Sequence, residues 1–413
     1  MSSSKYSRRG LLQQGGFGAA MAFGLGGSTS TFAAEEKPSA LKIVKVETFA
    51  LSHKLPRAQG VSTILVPTRS ALLVKITTDS GIVGWGESAD AGGTRGIIEK
   101  KLAKKLIGRN PLAFRQLWRD LWGANFGNGL AVGGVELALQ DIRGKALGVP
   151  ITDLYGGRVR DSALAYASGL SYTEGIDPED QYPAEAKELV KRSFKAIKAR
   201  TGRFAPSRDL KILSQVREAV GPDIRLMTDA NGGHTFAQAV PFAKELERLG
   251  FYFFEEPLPE TIPHYVGYPA LAAAIDMPLA GGEGLDSRQT AKTLMDRKSF
   301  DIIQPDATLC GGIGESLAVA ELASLYGVLT IPHCWGGAIA LSAALQVIGC
   351  IPPFSWGVSA DEPMLEFGVD ENPFLTELIA EPYQVKDGRV AIPTKPGLGV
   401  EVDEEVIRKY LVK

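Results

Sequence analysis

The sequence predicts an α/β protein in which a parallel (β/α) barrel follows a smaller α+β domain. Three observations lead to this prediction. After about residue 160, eight short apolar runs alternate with helical patterns, which favours a barrel over an open sheet. Before that point strands and helices are segregated, as they are in α+β domains. Polar residues that follow the apolar runs recur at intervals of about one strand-plus-helix unit.

The composition is that of a globular protein with a large core. The 413 residues are 45% hydrophobic and 22% charged, and the net charge is −2. Without an excess of positive charge there is no electrostatic case for nucleic acid or anionic lipid as a partner. Cys310, Cys334 and Cys350 are too few for a disulfide framework and too widely spaced for a zinc finger, so we expect small buried side chains.

Residues 1–34 carry the features of a secretory signal peptide. Arg8 and Arg9 in "SRRGLL" precede a Gly/Ala-rich apolar stretch, and small residues follow near "TFAAEE". The arginine pair indicates the twin-arginine type, with a disordered basic tail as the alternative. The apolar stretch is too short and too glycine-rich for a membrane span, and no other segment qualifies. We therefore expect a mature protein without membrane spans that is periplasmic or secreted.

Residues 41–160 form the predicted α+β domain. Alternating patterns over 41–87 indicate two or three strands, with a tight turn at "TDSG". Over 97–147 the apolar positions recur at three- and four-residue spacing, and glycines stand at the ends of the patterns. This spacing is typical of helices.

Residues 161–370 form the predicted barrel. Helical patterns such as "LKILSQVREAV" and "GESLAVAELASLYG" separate its strands. The remaining residues, 371–413, indicate short strands and a final helix at "DEEVIRKYL". The strand candidates are "ALAYASGL", "FKAIKAR", "IRLMTDAN", "FYFFEEP", "PLAGGEG", "FDIIQPDA", "LTIPHCW" and "PMLEF".

Polar residues stand at the carboxyl ends of these strands. From Arg200 onward they recur at steps of 23 to 33 residues. Residues spaced in this way form one ring at the top of a barrel, where the active sites of barrel enzymes lie. We expect this ring to face solvent. Its members are Lys198, Arg200, Asp229, Asn231, Glu255, Glu256, Glu283, Asp306, His333 and Glu366.

Three acids of the ring, Asp229, Glu255 and Glu283, follow consecutive strands. Crowded carboxylates repel one another unless a cation or protons neutralise them. Hard oxygen ligands that leave coordination positions open suit Mg²⁺. Each acid alone could cap the next helix, but the three in succession predict one magnesium ion per subunit.

His333 and Asp306 follow neighbouring strands and form a candidate general base. A carboxylate one strand away can orient an imidazole and stabilise its protonated form. Two other histidines are weaker candidates for contact with substrate. His234 follows "DANGG" near the barrel mouth and either touches substrate or caps a helix. His53 lies in an early loop and reaches the site if the first domain covers the barrel.

Lys198 and Arg200 are two residues apart, so both side chains point to the same face of their strand. We expect that face to be the barrel interior, because the intervening Ala199 and the preceding Ile197 are apolar and suit the helix layer. The two cations therefore belong to the polar ring.

At these residues the chain resembles the mandelate racemase and muconate-lactonising branch of the enolase superfamily. The resemblance covers essentially the whole mature chain and rests on an ordered set of motifs. The set is "VKITTDSGIVGWGE", "GVELALQDIRGKALGVPITDLYGG", "FKAIKAR", "TDAN", "FEEP", "GGEG", "QPDA", "PHCWGG", "LEF" and "PGLGVE".

The resemblance implies a fold and an assembly. Residues 41–160 and 371–413 would together make a cap over a (β/α)7β barrel, a modified TIM barrel formed by residues 161–370. Loops of the cap, around 51–66 and before Trp122, would control substrate specificity. Relatives often form symmetric assemblies, so a homo-oligomer is implied.

The resemblance also implies a chemistry. Members of the superfamily abstract the proton α to a carboxylate and form an enediolate, with a Lys or His base and Mg²⁺. The same three acids would hold the ion. Glu366 matches a residue that hydrogen-bonds the substrate carboxylate, Asn231 matches a substrate contact beside the metal, and we expect Glu256 to contact substrate too.

One position departs from the family pattern. The motif on the second strand is usually Lys-x-Lys, with the second lysine as a base on the opposite face of the substrate. Here the motif is Lys198-Ala-Arg200. Arginine stays protonated in proteins and makes a poor base, which argues against two-base racemisation.

These features favour a Mg²⁺-dependent dehydratase of a sugar acid. His333 would remove the α-proton and then help the β-hydroxyl leave, while Lys198 and Arg200 supply positive charge. An epimerase or a cycloisomerase is the alternative within the family, since both pass through an enediolate. A non-catalytic protein that binds sugar acids is the alternative of another class, but binding alone needs no general base.

Overall fold

The computed structural model describes residues 41–89, 93–260, 265–353 and 361–412. The predicted signal peptide, residues 1–34, lies outside the described residues. Within the described part of the chain, no helix is long and apolar enough to cross a membrane.

An antiparallel sheet forms the N-terminal layer. The turn between its second and third strands falls at the predicted "TDSG", where Gly81 has a φ of +83°. With strands numbered in chain order, the sheet contains β1 at Ile43–Gly60, β2 at Leu65–Thr78, β3 at Val83–Ser88 and β5 at Tyr172–Thr173, in the spatial order β3-β2-β1-β5.

The first strand is longer than the sequence indicated. We expected a loop over 51–66, but β1 pairs with β2 as far as Gly60↔Leu65, so that expectation is wrong for most of the segment. The pairing shifts between Lys54 and Gln59, around Pro56. Proline has no N–H for the ladder and is tolerated at such an irregularity, which explains why the segment did not have the pattern of a strand.

Helices of the first domain pack on this sheet. The longest is almost wholly buried because β3 lies on one side of it and the barrel on the other. A Cβ at Gly86 of β3 would overlap the carbonyl oxygen of Gly134, so the close packing of helix on strand requires glycine. The helices are α1 at Thr94–Ile97, a π-helical turn at Ile98–Leu102, α2 at Ala103–Leu106, α3 at Phe114–Ala124, α4 at Val132–Leu147 and α5 at Ile151–Leu154.

Among the described residues, eight parallel strands form the curled sheet of the barrel, one for each predicted apolar run. They are β4 at Ser162–Ser168, β6 at Ala196–Arg200, β7 at Arg225–Asp229, β8 at Phe251–Glu255, β9 at Leu279–Gly281, β10 at Ile302–Ile303, β11 at Leu329–Thr330 and β12 at Leu365–Gly368. The spatial order is β12-β4-β6-β7-β8-β9-β10-β11. This is the predicted TIM-type barrel with a capping domain.

In the described part of the chain, seven helices connect these strands on the outer face. Ile197 and Ala199 pack toward the helices, as predicted, whereas Tyr166, Met227 and Phe253 fill the interior. The helices are α6 at Pro178–Lys191, α7 at Pro206–Val220, α8 at Phe236–Arg248, α9 at Tyr268–Ala272, α10 at Arg288–Asp296, α11 at Ile313–Tyr326 and α12 at Ala338–Cys350.

The C-terminal segment returns to the N-terminal sheet. Leu411 forms a bridge with Leu51 of β1, and the Val412 N–H donates to the Ala50 carbonyl. The cap therefore contains residues from both ends of the described chain. The segment contains α13 at Pro373–Thr376, β13 at Arg389–Ala391, which pairs with β4, and α14 at Glu404–Tyr410.

Candidate active site

The strand ends bring the predicted polar residues together at one end of the barrel. The cap covers most of the ring, so the expectation of a solvent-facing mouth is wrong for Asp229, Glu255 and Glu366, whereas Glu283 keeps 31% of its side chain exposed. Asp229, Glu255 and Glu366 have 0% of their surface exposed. The cap lies above them, and the Ser62 hydroxyl of the β1–β2 connection donates to the Asn231 carbonyl at 3.3 Å. The site is therefore a buried polar chamber between two domains.

Lys198 is the centre of this chamber. Its Nζ lies 2.8 Å from Glu255 Oε1, 2.8 Å from Glu366 Oε1 and 3.7 Å from Asp229 Oδ2. Burial by itself acts to lower the pKa of Lys198, but the charges of Glu255 and Glu366 outweigh it and the pKa is raised. In this arrangement Lys198 acts as a fixed positive charge.

Arg200 hydrogen-bonds to residues that follow or end the neighbouring barrel strands β4 and β7. Its Nη1 donates to Asp229 Oδ2 and, at 3.4 Å, to Asn231 Oδ1, while Nη2 donates to the Ser168 hydroxyl at 3.2 Å. Burial acts to lower the pKa of Arg200, yet Asp229 and Glu366 raise it further. The guanidinium is a permanent cation with three partners, as expected for an arginine in place of a lysine base.

His333 and Asp306 are in direct contact. Nδ1 of His333 lies 2.8 Å from Asp306 Oδ2, and Nε2 lies 3.2 Å from Glu283 Oε2. Asp306 is itself held by the Thr308 N–H and hydroxyl, each at 2.7 Å. Burial acts to lower the pKa of His333, but Glu283, Glu366 and Asp306 raise it to about 10. The pair can therefore keep His333 protonated, with Nε2 as the nitrogen that donates a proton into the chamber.

Two of the three acids of the predicted metal site have pKa values raised by burial and by neighbouring carboxylates. Burial and the charges of Asp229 and Glu366 raise the pKa of Glu255 to about 7, against the opposing effect of Lys198. Burial also raises the pKa of Glu283. Glu255 Oε2 is buried and has no hydrogen-bond partner among the described residues.

This donor set suits a hard divalent cation in its chemistry, because it offers three carboxylates and an unsatisfied oxygen. Among the residues that the structure describes, however, no three His, Cys, Asp or Glu side chains converge as a ready ligand cluster. Lys198 and Arg200 lie against Glu255 and Asp229. Binding of an ion would require these cations to shift.

Asn231 and Glu256 stand beside the acids in strained backbone, with φ values of +43° and +42°. The Asn231 amide donates to Glu256 Oε2 at 3.4 Å. Burial, together with Glu283 and Glu260, raises the pKa of Glu256 well above its usual range. Both residues line a cavity of about 380 Å³ that also contains Glu283. These two predicted substrate contacts, Asn231 and Glu256, therefore lie at one cavity. Non-glycine residues at positive φ persist where the surroundings hold them, often at functional sites.

The two other predicted histidines contact residues outside the polar ring. His53 is part of the strand β1 rather than a loop, and its Nε2 lies 2.7 Å from Glu371 Oε1 in the C-terminal segment. His234 packs against Phe242 and Phe254 between the barrel sheet and the helices. Burial lowers the pKa of His234 to about 4. A neutral core histidine therefore explains this position better than a substrate contact.

Ser168 belongs to the site although the sequence analysis did not select it. Its hydroxyl donates to Glu366 Oε1 at 2.7 Å and accepts from Arg200. The residue ends the first barrel strand, so the rule that selected the other strand ends could have found it. The three cysteines are free thiols. Cys310 and Cys334 are buried, as predicted, whereas Cys350 is only partly buried.

Arg69 and Trp335 form a second unpredicted part of the site. The Arg69 guanidinium lies 4.5 Å from the centroid of the Trp335 ring and donates to Asp370. Both residues line a cavity of about 370 Å³ that also contains His333 and Asp306. Arg69 lies on β2 of the cap, and no local pattern marks it, because only the docking of the cap brings it to the barrel.

Two family models match the chain. Residues 44–156 match "Mandelate racemase / muconate lactonizing enzyme, N-terminal domain", and residues 181–406 match "Enolase C-terminal domain-like".

Relatives with named activities align over most of their length. The chain is 34% identical to D-galactarolactone cycloisomerase of Agrobacterium fabrum over 377 residues, 90% of this chain and 99% of the relative. It is 33% identical to arabinonate dehydratase of Saccharolobus solfataricus over 349 residues, 82% of this chain and 90% of the relative. The crystal structure of 3,6-anhydro-D-galactonate cycloisomerase from Zobellia galactanivorans superposes with a TM-score of 0.80 at 32% identity, covering 90% of this chain and 100% of that one.

Proposed function

Because this chain belongs to the mandelate racemase and muconate lactonizing enzyme family of the enolase superfamily, we propose that it is a Mg²⁺-dependent enzyme that removes the α-proton of a sugar acid and eliminates water. The named relatives act on sugar acids or their lactones as dehydratases and cycloisomerases. Dehydration makes the enzyme a lyase, and an isomerase of the same substrate class is the second candidate.

The contact between His333 and Asp306 carries this proposal. A carboxylate only accepts hydrogen bonds, so Nδ1 of the imidazole must carry the proton that lies between them. Nε2, which contacts Glu283 in this structure, is then the atom that takes the α-proton from the substrate once it has given up its own proton. Once protonated, Nε2 can return the proton to the β-hydroxyl as that group leaves.

The cations of the chamber stabilise the negative charge of the enediolate. Lys198 and Arg200 are buried and held by carboxylates, so little reorganisation is needed when charge develops on the substrate. Glu366 accepts hydrogen bonds from Lys198, Ser168 and the Cys334 N–H, and so orients these donors. Mg²⁺, when held by the three acids named above, would add positive charge at the substrate carboxylate.

The cycloisomerase alternative rests on a specific observation. One relative of that activity aligns over 99% of its length, and a structure of another superposes over its full chain. Both reactions begin with the same proton abstraction, so the fate of the enediolate separates them. A non-catalytic sugar-acid binder is disfavoured because the chamber contains an oriented base.

A panel of aldonates, aldarates, their lactones and anhydro-sugar acids, incubated with enzyme and Mg²⁺ in D₂O, tests the function. A dehydratase yields a product lighter by one water, and a cycloisomerase yields an isomer; mass spectrometry and NMR distinguish them. Absence of both turnover and α-deuterium incorporation across the panel would contradict the proposal and favour a binding protein.

We also propose that the protein is exported through the twin-arginine route. The support is the order of Arg8 and Arg9, an apolar stretch and small residues in 1–34. The family match begins only at residue 44, so this segment is additional to the family domains.

A homo-oligomer is the proposed state in solution. Large apolar side chains are exposed on the cap, among them Phe126 with 90% and Ile107 with 49% of their surface accessible. Such side chains are candidates for a subunit interface where they form one contiguous patch, since singly exposed apolar residues are common on any protein surface. Light scattering coupled to size exclusion measures the mass directly.

A further inference from the structure

Two motifs of the cap, "GWGE" at 84–87 and "GVELALQD" at 134–141, have no part in the chemistry proposed above. Each places a glutamate, Glu87 or Glu136, in a buried position. Burying a carboxylate is costly unless hydrogen bonds compensate for the lost water. Both glutamates accept hydrogen bonds from backbone N–H groups of the barrel.

Glu87 binds the loop that carries His333. The Gly337 N–H donates to Glu87 Oε1 at 2.6 Å, and the Ala340 N–H donates to Oε2 at 3.0 Å. These N–H groups belong to the start of α12, and His333 lies four residues before Gly337. A helix start has free N–H groups that favour negative charge. The cap thereby holds the end of the His333 loop.

Glu136 binds the loop that carries Asp306 in the same way. The Ile313 N–H donates to Glu136 Oε2 at 2.9 Å, and the Gly314 N–H donates to Oε1 at 3.2 Å. Both N–H groups belong to the start of α11, which follows the Asp306 loop. Gln140 donates to Glu136 Oε1 at 2.7 Å and orients it.

Backbone packing reinforces the second contact. Gly133 on α4 lies so close to the Thr308 carbonyl that a Cβ there would overlap it. Thr308 is the residue whose N–H and hydroxyl hold the Asp306 carboxylate. Helix α4 therefore contacts the Asp306 loop at two places. Gly133 packs on Thr308, and Glu136 binds the N–H groups at the start of α11.

We propose that Glu87 and Glu136 are positioning residues that fix the His333 and Asp306 loops relative to each other, so that the general-base pair is aligned only when the cap is docked on the barrel. The inference rests on the proposed function in that it takes these two residues as the base and its orienting group. The cap thus organises the chemistry as well as enclosing the substrate.

The cap also supplies a matched control. Asp141 is a third buried carboxylate, and it accepts from the Trp85 and Leu398 N–H groups, each at 2.9 Å. Its third partner is Lys145 on the same helix, whose Nζ donates to Asp141 Oδ2 at 2.7 Å. Neither this helix, nor the cap strand, nor the C-terminal segment carries His333 or Asp306. Loss of its charge removes a similar number of hydrogen bonds without touching either loop.

The test compares Glu87→Gln, Glu136→Gln and Asp141→Asn with the wild-type enzyme at a temperature at which all remain folded by circular dichroism. The first readout is the downfield proton resonance of His333 Nδ1–H in the free enzyme, assigned as the signal absent from His333→Asn. The second is kcat and KM, with α-deuterium exchange, on the acid sugar selected by the panel.

We expect both glutamine variants to shift or lose the His333 resonance and to lose kcat on the order of 100-fold with KM unchanged, since misplacement by about 1 Å has effects of that size. Asp141→Asn should lose thermal stability but keep the resonance and kcat. If a glutamine variant does not fold, Glu87→Asp and Glu136→Asp, which keep the charge but shorten its reach, replace them with the same expectation.

Two results would overturn the proposal. One is an unchanged His333 resonance and kcat in the glutamate variants. The other is an equal loss in Asp141→Asn, which would indicate general damage to the cap. The resonance needs no substrate, so it decides the positioning role even if the wild type turns over no acid sugar and the proposed function fails.

Discussion

Nδ1 of His333 lies 2.8 Å from Asp306 Oδ2, and this contact determines which atom of the imidazole faces the polar chamber. Because Asp306 can only accept, Nε2 is the atom available to the substrate. Proton transfer should therefore occur from one side of the α-carbon.

The first prediction concerns this base. His333→Asn should lose turnover and α-proton exchange by about 10²–10⁴-fold, the usual contribution of a general base. The measurements are kcat and deuterium incorporation by NMR. Wild-type enzyme in D₂O should deliver label with a single stereochemistry. Rapid scrambling of the α-configuration by the wild type would mean that a second base acts, and would favour an epimerase.

The second prediction concerns Arg200. Arg200→Lys restores the Lys-x-Lys motif of relatives but loses the fork that reaches Asp229, Ser168 and Asn231 together. We expect lower kcat/KM and slow deuterium incorporation on the opposite face, because lysine can release a proton and arginine does not.

Arg208→Lys is the control for this change, because Arg208 lies on α7 and pairs with Asp177 at the surface. It should behave as the wild type does. Label of a single stereochemistry in Arg200→Lys would show that this position cannot act as a base even as lysine.

The third prediction concerns the metal. Mg²⁺ should raise the thermal unfolding midpoint of the wild type, since a ligand at 100 times its Kd stabilises the folded state by about 2.7 kcal/mol. Glu255→Gln should lose this response and turnover together. Glu245→Gln, on the exposed face of α8, is the control. A full Mg²⁺ response in Glu255→Gln would exclude Glu255 as a ligand.

The fourth prediction concerns pH and His234. Burial lowers the pKa of His234 from 6.5 to about 4, so between these values the unfolded chain binds a proton that the folded protein does not. Stability therefore falls as the pH falls through this window, by up to about 3 kcal/mol. His234→Phe should remove this part of the pH dependence, measured by urea unfolding at pH 4 to 7, and keep activity. Loss of activity in a folded His234→Phe variant would contradict the structural role and support a contact between His234 and the substrate.

The fifth prediction concerns export. Replacing Arg8 and Arg9 with lysine should leave the precursor in the cytoplasm, because the twin-arginine signal is read specifically. Cell fractionation followed by immunoblotting measures how much of the protein is in the cytoplasm and how much is exported. Normal export of the double variant would indicate another route.

The sequence by itself determined the architecture and most of the ring. Apolar runs, their length and the polar residue that ends each run are local features, so Asp229, Glu255, Glu283, Asp306 and His333 could be placed at strand ends before any packing was known. Alternation along a strand likewise placed Lys198 and Arg200 on one face. All of these residues depend on the period of a single strand and on the regular spacing of the barrel.

Only the tertiary structure decided how these residues meet and what covers them. Three features join segments that lie far apart in the chain. They are the burial of the ring, the contact of Arg69 with Trp335, and the hydrogen bonds of Glu87 and Glu136 to the barrel loops. The position of His53 in a strand and of His234 among aromatic side chains also depended on packing. Such contacts arise when the cap docks on the barrel, and no local periodicity encodes which surfaces then come together.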